Sequence, residues 1–370
     1  MKSFLRKNII YGIYGLFVLL LSIYSFALVD PNLTLINHHF WEVFRNVMVQ
    51  IGYYERALSW NMYLVLILGL FILHVYVVKN HKNIDALKIS GVAALVLLLS
   101  YPFLSHDFFN YMFDARMLTY YGANPYTHKA LDFPGDEWVR FMHWTHRSYP
   151  YGPSFLLFTL VPSFLGFGTL ILNYIFFKAS FIGMYILAVW ALKKKSNEWA
   201  MFFASHPLII IEGLVNGHND LVAVSFAIIG IILLMKGSKR FGLSGLLFLF
   251  SGGIKYFSAP TLLLPKNSKA YAIALPLFLL TLAPIVYISL TGEIQSWYYL
   301  NLLIFIPYFY TYISQLHIFF LGLLLSYYPF IALGGWGKIA HTQLKHEIIL
   351  WAIAAQCLYS GVLYLKKRKK

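Results

Sequence analysis

The chain has 370 residues, of which 59% are hydrophobic, 19% aromatic and only 12% charged. Soluble domains carry about 25% charged residues, so this chain has about half the charge that a water-exposed surface requires. The composition excludes an ordinary soluble domain and predicts a protein that crosses a membrane several times. Because Cys357 is the only cysteine, an intrachain disulfide and a thiolate metal cluster are also excluded.

The formal net charge of +15 would suggest nucleic-acid binding in a soluble protein. Here, however, the basic residues form short clusters between apolar runs, as in cytoplasmic loops under the positive-inside rule. The clusters are Lys2/Arg6/Lys7, Lys79/Lys82/Lys88, Lys193–Lys195, Lys236/Lys239/Arg240, Lys266/Lys269 and Lys366–Lys370. We therefore expect membrane lipids, and no nucleic acid, among the partners.

Apolar runs long enough to cross a bilayer, about 20 residues each, follow one another along the chain. The first predicted span is 9–29, and an outer loop follows at 30–60. Further spans are predicted at 61–78, 89–104, 169–192, 198–214, 221–235, 241–254, 257–265 and 270–290, with one or two more in 291–333. The predicted fold is therefore all-α, with about ten to twelve transmembrane helices in a single domain, 1–370.

The longest polar segment, 105–152, follows the third predicted span and is succeeded by an apolar stretch at 153–168. If 153–168 crossed the membrane, Lys193–Lys195 would lie outside, against the positive-inside rule. We therefore predict an interfacial or re-entrant helix there. Residues 105–168 become one extracytoplasmic loop, and the same topology places the turn at 216–220 and Lys255 on that outer side.

The start of this loop has helical spacing. In a helix over 105–116, Asp107, Asn110, Tyr111 and Asp114 share one face by their i, i+3, i+4, i+7 positions. The face is either the wet side of a juxtamembrane helix or the support of a catalytic carboxylate at the lipid–water interface. Two later turn signals, 120–126 and 149–153, contain Asn124 and Tyr151, and loop rigidity alone would explain each.

Lys255 is the only charged residue between Phe241 and Pro265. An unpaired cation in the membrane costs about 2.5–3.5 kcal/mol. The lysine must therefore pair with Asp220 or Glu212, lie near the interface, or bind an anion such as a phosphate.

The turn before the sixth predicted span is unusually polar. It carries Glu212, Asn216, His218, Asn219 and Asp220. A hairpin turn needs fewer polar side chains, so the turn indicates a polar pocket, although Asn219 or Asp220 could simply cap the next helix. His218 and Asp220 are too few ligands for a metal site.

Taken in chain order, these residues resemble the motifs of the GT-C superfamily of integral-membrane glycosyltransferases. The similarity is greatest to bacterial polyprenol-phosphate-mannose-dependent mannosyltransferases, and it covers about residues 100–260. The residues that carry it are Asp107, Asn110–Tyr111, Arg116, Gly122–Tyr126, Tyr151–Pro153, Gly217–Asp220 and Lys255–Tyr256.

The resemblance implies a sugar donor carried on a polyprenyl phosphate and an acidic base in the first large outer loop. That role falls on Asp107, with Asp114 as the second candidate. Hexose transfer, most simply of mannose, to an extracytoplasmic glycan or glycolipid acceptor is then expected. The expected substrate-binding residues are Arg116, Asn110, Tyr111, Asn124, Tyr151, Asn216, His218, Asn219, Asp220 and Lys255.

The chemistry of such a donor agrees with this residue set. A lipid phosphate is a good leaving group, so one carboxylate that deprotonates the acceptor hydroxyl suffices and the sugar carbon is inverted. Lys255 and Arg116 are the cations expected to stabilise the departing phosphate. No metal ligands are predicted, and the sequence leaves open whether a divalent cation assists.

Three other classes stay open at this stage. A multi-pass lipid or sugar transporter or flippase would show internal pseudo-symmetry and polar residues at mid-span. Here the polar residues gather at predicted outer turns instead. An acyltransferase using His218 as its base, and a scaffold subunit without chemistry, are the remaining alternatives.

Overall fold

A computed structural model describes residues 2–235, 241–265, 270–335 and 337–368. The structure is 78% helical, and no strand occurs in those ranges, so the predicted all-α fold is confirmed. Two of the basic clusters used to predict the topology, Lys236/Lys239/Arg240 and Lys266/Lys269, lie outside the described residues, and so do the last two residues of the cluster Lys366–Lys370.

The helices follow one another with short connections, apart from the long segment between α5 and α6. The α-helices are α1 Lys2–Tyr24, α2 His39–Val49, α3 Arg56–Lys79, α4 Ala86–Leu97, α5 Asp107–Thr119, α6 Pro153–Leu165, α7 Leu170–Lys193, α8 Asn197–Ser205, α9 Asn219–Leu234, α10 Phe241–Ile254, α11 Ala270–Thr291, α12 Ile306–Ile313, α13 His317–Leu325 and α14 Ile339–Arg368. Longer 3-10 segments occupy Tyr256–Leu263 and Ser296–Phe305, and π-helical segments occupy Gln50–Tyr54, Ile209–Val215 and Pro329–Gly334.

Several helices are long and apolar enough to cross a membrane. Six could cross one: Asn8–Leu28, Arg56–Lys79, Leu170–Lys193, Tyr271–Thr291, His317–Gly334 and Ile339–Lys366. The pair Asn197–Ser205 and Ile209–Val215, bent by 66°, could form a seventh span. Four shorter apolar helices are Ala86–Leu97, Pro153–Leu165, Asn219–Leu234 and Gly242–Ile254. These counts refer only to the described ranges, and they support a membrane protein.

Three predicted elements differ from the observed ones. The third span, predicted at 89–104, ends at Leu97 because the Ser100 hydroxyl caps the Leu97 carbonyl at 2.7 Å and Pro102 disfavours a helical residue before it. The predicted loop 30–60 contains α2. The predicted span 257–265 is a 3-10 segment about 16 Å long, too short for a hydrocarbon layer of about 30 Å.

Helix α9 lies at the centre of the fold and packs against α7 and α10. The turn before it is fixed by Lys178 of α7, which is fully buried. Its ammonium donates hydrogen bonds to the carbonyl oxygens of Leu214 at 2.8 Å and Val215 at 2.6 Å, and to the Ser100 hydroxyl at 3.2 Å. Lys178 thus satisfies the free carbonyls at the C-terminus of the segment Ile209–Val215. It also connects this segment to Ser100, which precedes α5.

Two glycines allow close approaches that shape the site. Gly217 has φ +68°, and a Cβ there would lie 2.5 Å from the ring of Phe108, so the turn before α9 lies directly against the first turn of α5. Gly152 abuts the backbone of Gly253 and has no room for a side chain. The start of α6 therefore lies against the end of α10, which brings Tyr151 close to Lys255.

Candidate active site

A cavity of about 1010 Å³ is lined by three of the candidate residues that the sequence singles out, Asp107, Tyr151 and Lys255. Asp107, Arg147, Tyr151 and Lys255 all contribute to its wall. Its size lies at the upper end of the usual range for small-molecule sites. The cavity therefore brings the carboxylate from the start of α5 together with the lysine that follows α10.

Asp107 is the first residue of α5, where the positive end of the helix favours a negative charge. Its side chain is 15% exposed, so it is accessible from the cavity but largely desolvated. Burial raises the pKa of this carboxyl above its ordinary value, and the positive charges of Arg147 and Lys255 act in the opposite direction. The carboxylate is thus accessible and more basic than that of a free aspartate.

His218 lies between two carboxylates. Its Nδ1 is 3.9 Å from Oδ2 of Asp107, and its Nε2 is 3.4 Å from Oε2 of Glu212. The imidazole is fully buried and stacks on the indole of Trp297, with ring centroids 4.0 Å apart and planes inclined by 12°. Glu212 is fixed in turn by the Tyr327 hydroxyl, which donates to Oε1 at 2.7 Å.

Lys255 pairs with Asp220 at 3.0 Å, and not with Glu212, the other partner that the sequence suggested. It also donates a hydrogen bond to Oδ1 of Asn219 at 3.3 Å. Asn301 donates to the second carboxylate oxygen of Asp220 at 2.7 Å and holds it in place. The ammonium lies 4.9 Å from the centroid of the Tyr298 ring, so it is surrounded by partners and still lines the cavity.

Arg116 does not line this cavity, which corrects its expected place beside Lys255. Its guanidinium binds Oδ2 of Asp136 at 2.6 Å and lies between the rings of Tyr120 and Trp138, 4.0 and 4.1 Å from their centroids. It also donates to the carbonyl of Gly168 at 3.2 Å. Arg116 therefore holds the long loop together.

Arg147 is the cation that takes the expected place of Arg116 in the cavity wall. It is half-buried, and no ion pair to it occurs within the described ranges. Sequence reasoning did not select it, because nothing in the local pattern separates it from Arg140 of the same segment. Its guanidinium lies 5.0 Å from the Trp144 ring, so its charge is available to a ligand.

The predicted face of α5 exists, but it is buried and not wet. Asn110, with its amide oriented to satisfy both neighbours, donates to the His106 carbonyl at 3.2 Å and accepts from the Trp144 N–H at 3.3 Å. Tyr111 packs edge-on against Tyr151, with centroids 5.1 Å apart. Both residues thus place the loop that carries Arg147.

Asp114, the second candidate base, lies outside the cavity lining. Burial raises its pKa to about 8, and Arg147 only partly offsets this effect. The carboxyl is therefore mostly protonated at neutral pH and cannot accept a proton there. Of the two aspartates, only Asp107 lines the cavity.

The two remaining asparagines have structural contacts and do not line the cavity. Asn124 is exposed, and its Oδ1 accepts the backbone N–H of Tyr126 at 3.0 Å within a turn. Asn216 accepts the N–H of Leu104 at 3.2 Å and donates to Glu212 at 3.0 Å. Asn216 therefore links the segment before α5 to the turn before α9.

Sequence reasoning also missed the wall formed after α11. Glu293, Gln295, Trp297 and Tyr298 line the cavity, and Asn301 supports Asp220 from the same stretch. The available signal was the polar interruption at 291–296, which resembles the turn at 216–220 in separating two apolar runs. Across the described ranges, no group of three or more His, Cys, Asp or Glu side chains could hold a metal ion.

One comparison with known proteins identifies the family. The MptA_B family, described as alpha-(1->6)-mannopyranosyltransferase, N-terminal domain, matches residues 9–267, a range that includes Asp107, Arg147, His218 and Lys255. No curated protein and no solved structure matches the chain. The predicted resemblance to membrane mannosyltransferases is thus confirmed. The chain belongs to this GT-C-like mannosyltransferase family and is a membrane glycosyltransferase that uses a sugar donor and a glycan acceptor.

Proposed function

We propose that this protein transfers mannose, with inversion, from a polyprenyl-phosphate donor to an extracytoplasmic glycan or glycolipid, and that Asp107 is the base. The observation that carries the proposal is the shared cavity of Asp107, Lys255 and Arg147. A base and two cations in one cavity match a displacement in which a hydroxyl attacks and a phosphate leaves.

The step requires one proton acceptor. Asp107 removes the proton of the acceptor hydroxyl while its oxygen attacks C1 of the mannosyl group. The bond from C1 to the phosphate oxygen breaks, and its electron pair leaves with the polyprenyl phosphate. Because the attack comes from the side opposite to the leaving group, the configuration at C1 is inverted.

The leaving phosphate gains one negative charge, which the cations stabilise. An ammonium has three N–H donors. Lys255 donates one of them to Asn219 and pairs with Asp220 at 3.0 Å, which leaves donor capacity for a phosphate oxygen. Arg147 adds a planar guanidinium, which suits two oxygens of the same phosphate.

A lipid-borne donor also fits the membrane setting that we propose. Ten to twelve spans within one domain, 1–370, would place the loop 105–168 outside the cytoplasm, where nucleotide sugars are scarce. Helix α6 is about 20 Å long and shorter than the hydrocarbon layer of about 30 Å, which supports an interfacial or re-entrant position. Tyr151, Tyr256 and Phe257 supply aromatic surface in the cavity for an isoprenoid chain.

Transfer of labelled mannose in reconstituted vesicles tests the proposal. Polyprenyl-phosphate mannose and an α-1,6-linked mannooligosaccharide should give an extended glycan, and NMR should show opposite anomeric configurations in donor and product. Asp107→Asn should lower the rate about 10²- to 10⁴-fold, the usual contribution of a general base. Asp132→Asn, an exposed carboxylate of the same loop, serves as the control. Full activity of Asp107→Asn would exclude Asp107 as the base.

A further inference from the structure

We propose that the glycan acceptor binds in a second part of the cavity, between the segment 293–297 and the loop 30–32. This inference rests on the proposed function, because it locates the second substrate of the same reaction. Both walls belong to the lining of the cavity that holds Asp107. Neither wall contributes to the group formed by Lys255, Asp220 and Asn219.

The segment 293–297 turns alternate side chains toward the cavity. Glu293, Gln295 and Trp297 line it, and Gln295 has extended backbone angles, φ −104° and ψ 119°. Ile294 and Ser296 are buried, and the Ser296 hydroxyl donates to the Leu323 carbonyl at 2.8 Å. Alternation with a period of two is the geometry of an extended chain, so a carboxylate, an amide and an indole form one row.

This row is rigid before any ligand binds. Lys345 of α14 is fully buried and donates to Glu293 at 2.7 Å and to Gln295 at 3.3 Å. The backbone N–H of Ile294 donates a hydrogen bond to Nε2 of His346 at 3.1 Å. Side chains held in this way lose little freedom when a ligand arrives, which favours binding.

The row also ends at the reacting group. Trp297 stacks on His218 at 4.0 Å, and His218 lies 3.9 Å from Asp107. A saccharide lying along the row would therefore bring its terminal hydroxyl close to Asp107. An inverting displacement requires this hydroxyl to approach C1 from the side opposite to the phosphate.

The opposite wall has the same polar character. Asp30, Asn32, Tyr53 and Arg56 line it. The guanidinium of Arg56 is already engaged, because it donates to the carbonyl of Ile331 at 3.3 Å. Glu293 is paired with Lys345 at 2.7 Å, and carboxylate and amide groups readily accept and donate hydrogen bonds to sugar hydroxyls. The chemistry of this part of the cavity thus fits an uncharged polyol.

Two substitutions that remove a hydrogen-bonding group from each wall test the inference. In Gln295→Ala and Asn32→Ala, the KM for an α-1,6-linked mannotriose should rise about three- to tenfold, the effect of one lost hydrogen bond, while the KM for the donor stays the same. Gln315→Ala, a half-buried glutamine outside the cavity, is the control and should change neither constant.

Saturation-transfer NMR of mannotriose with the reconstituted protein, without donor, separates this inference from the proposed function. The trisaccharide signals should be strong for the wild type and for Gln315→Ala and weak for Gln295→Ala. Equal signals in all three proteins, or none with the wild type, would overturn the acceptor site. Binding without any transfer from a polyprenyl-phosphate donor would instead refute the proposed donor and leave the acceptor site standing.

Discussion

The imidazole of His218 bridges the carboxylate of Asp107, 3.9 Å away, and that of Glu212, 3.4 Å away. Since the ring is fixed by stacking on Trp297, it limits where the Asp107 carboxylate can lie. We therefore propose that His218 positions Asp107, the proposed base, although the sequence suggested contact with substrate.

Replacing His218 tests this positioning role. His218→Gln should lower kcat about 10²-fold, because a misplacement of about 1 Å costs that much, and it should leave the KM of the donor nearly unchanged. Burial and the charge of Lys255 lower the pKa of His218, so the ring acts by its position and not by its charge, and the acid side of the pH–rate profile should change little.

A matched buried histidine separates this effect from a general loss of packing. His206 is also fully buried but stacks edge-on against Phe320 away from the cavity. His206→Gln should lower the thermal unfolding temperature and leave kcat nearly unchanged. If both variants change activity in the same proportion as stability, His218 has no positioning role.

Substituting three arginines one at a time tests which of them binds the phosphate of the proposed donor. Arg147→Gln should raise the KM of the donor and lower kcat, because it removes a charge from the cavity. Arg116→Gln should mainly reduce stability, since it leaves Asp136 without its partner at 2.6 Å. Arg140→Gln, on the same loop but outside the cavity lining, is the control. A normal donor KM in Arg147→Gln would remove Arg147 from the site.

The pH dependence of the rate follows from the ionisation of Asp107. The base acts only when ionised, so activity falls as the pH drops through its pKa, which burial holds above the ordinary value of about 3.9. Arg147 lowers this pKa, and its removal in Arg147→Gln should therefore move the acid side of the profile to higher pH. The measurement is kcat/KM against pH, and an unchanged or lowered apparent pKa would contradict the assignment.

Composition and the positions of charged residues along the chain were sufficient to predict an all-helical membrane protein. They were also sufficient to single out Asp107, Lys255 and Asp220 as candidate site residues. Those inferences use hydropathy and spacing, which are local properties of the chain. Local properties of the chain could not predict that Arg147, and not Arg116, lines the cavity. Arg116 is neutralised by Asp136, 20 residues later, and only the folded path of the loop decides which arginine meets a carboxylate.

The sequence could not predict for a related reason that Glu293, Gln295 and Trp297, which follow α11, line the cavity. Glu293 and Gln295 become part of the cavity because Lys345, some 50 residues later in the chain, holds them. Helix lengths were also misjudged where proline and a side-chain cap end a helix inside an apolar run, as at Ser100 and Pro102. Hydropathy does not detect such ends, because the residues beyond them stay apolar.

Gly217 offers a final test of the contact between α5 and the turn before α9. Gly217→Ala meets two penalties: a left-handed backbone, which costs roughly 1–2 kcal/mol for a residue with a Cβ, and the ring of Phe108 at 2.5 Å. Gly122 has nearly the same backbone, φ +65°, but no atom within 4 Å of the position of a Cβ. Gly122→Ala therefore meets only the first penalty.

The two variants should differ in activity more than in stability. Phe108 follows Asp107 directly, so a displaced ring in Gly217→Ala moves the base, and kcat should fall about 10²-fold. Gly122→Ala should unfold at a somewhat lower temperature and retain most of its activity. Equal kcat values in the two variants, measured with the same donor and acceptor, would show that the contact between Gly217 and Phe108 does not place Asp107.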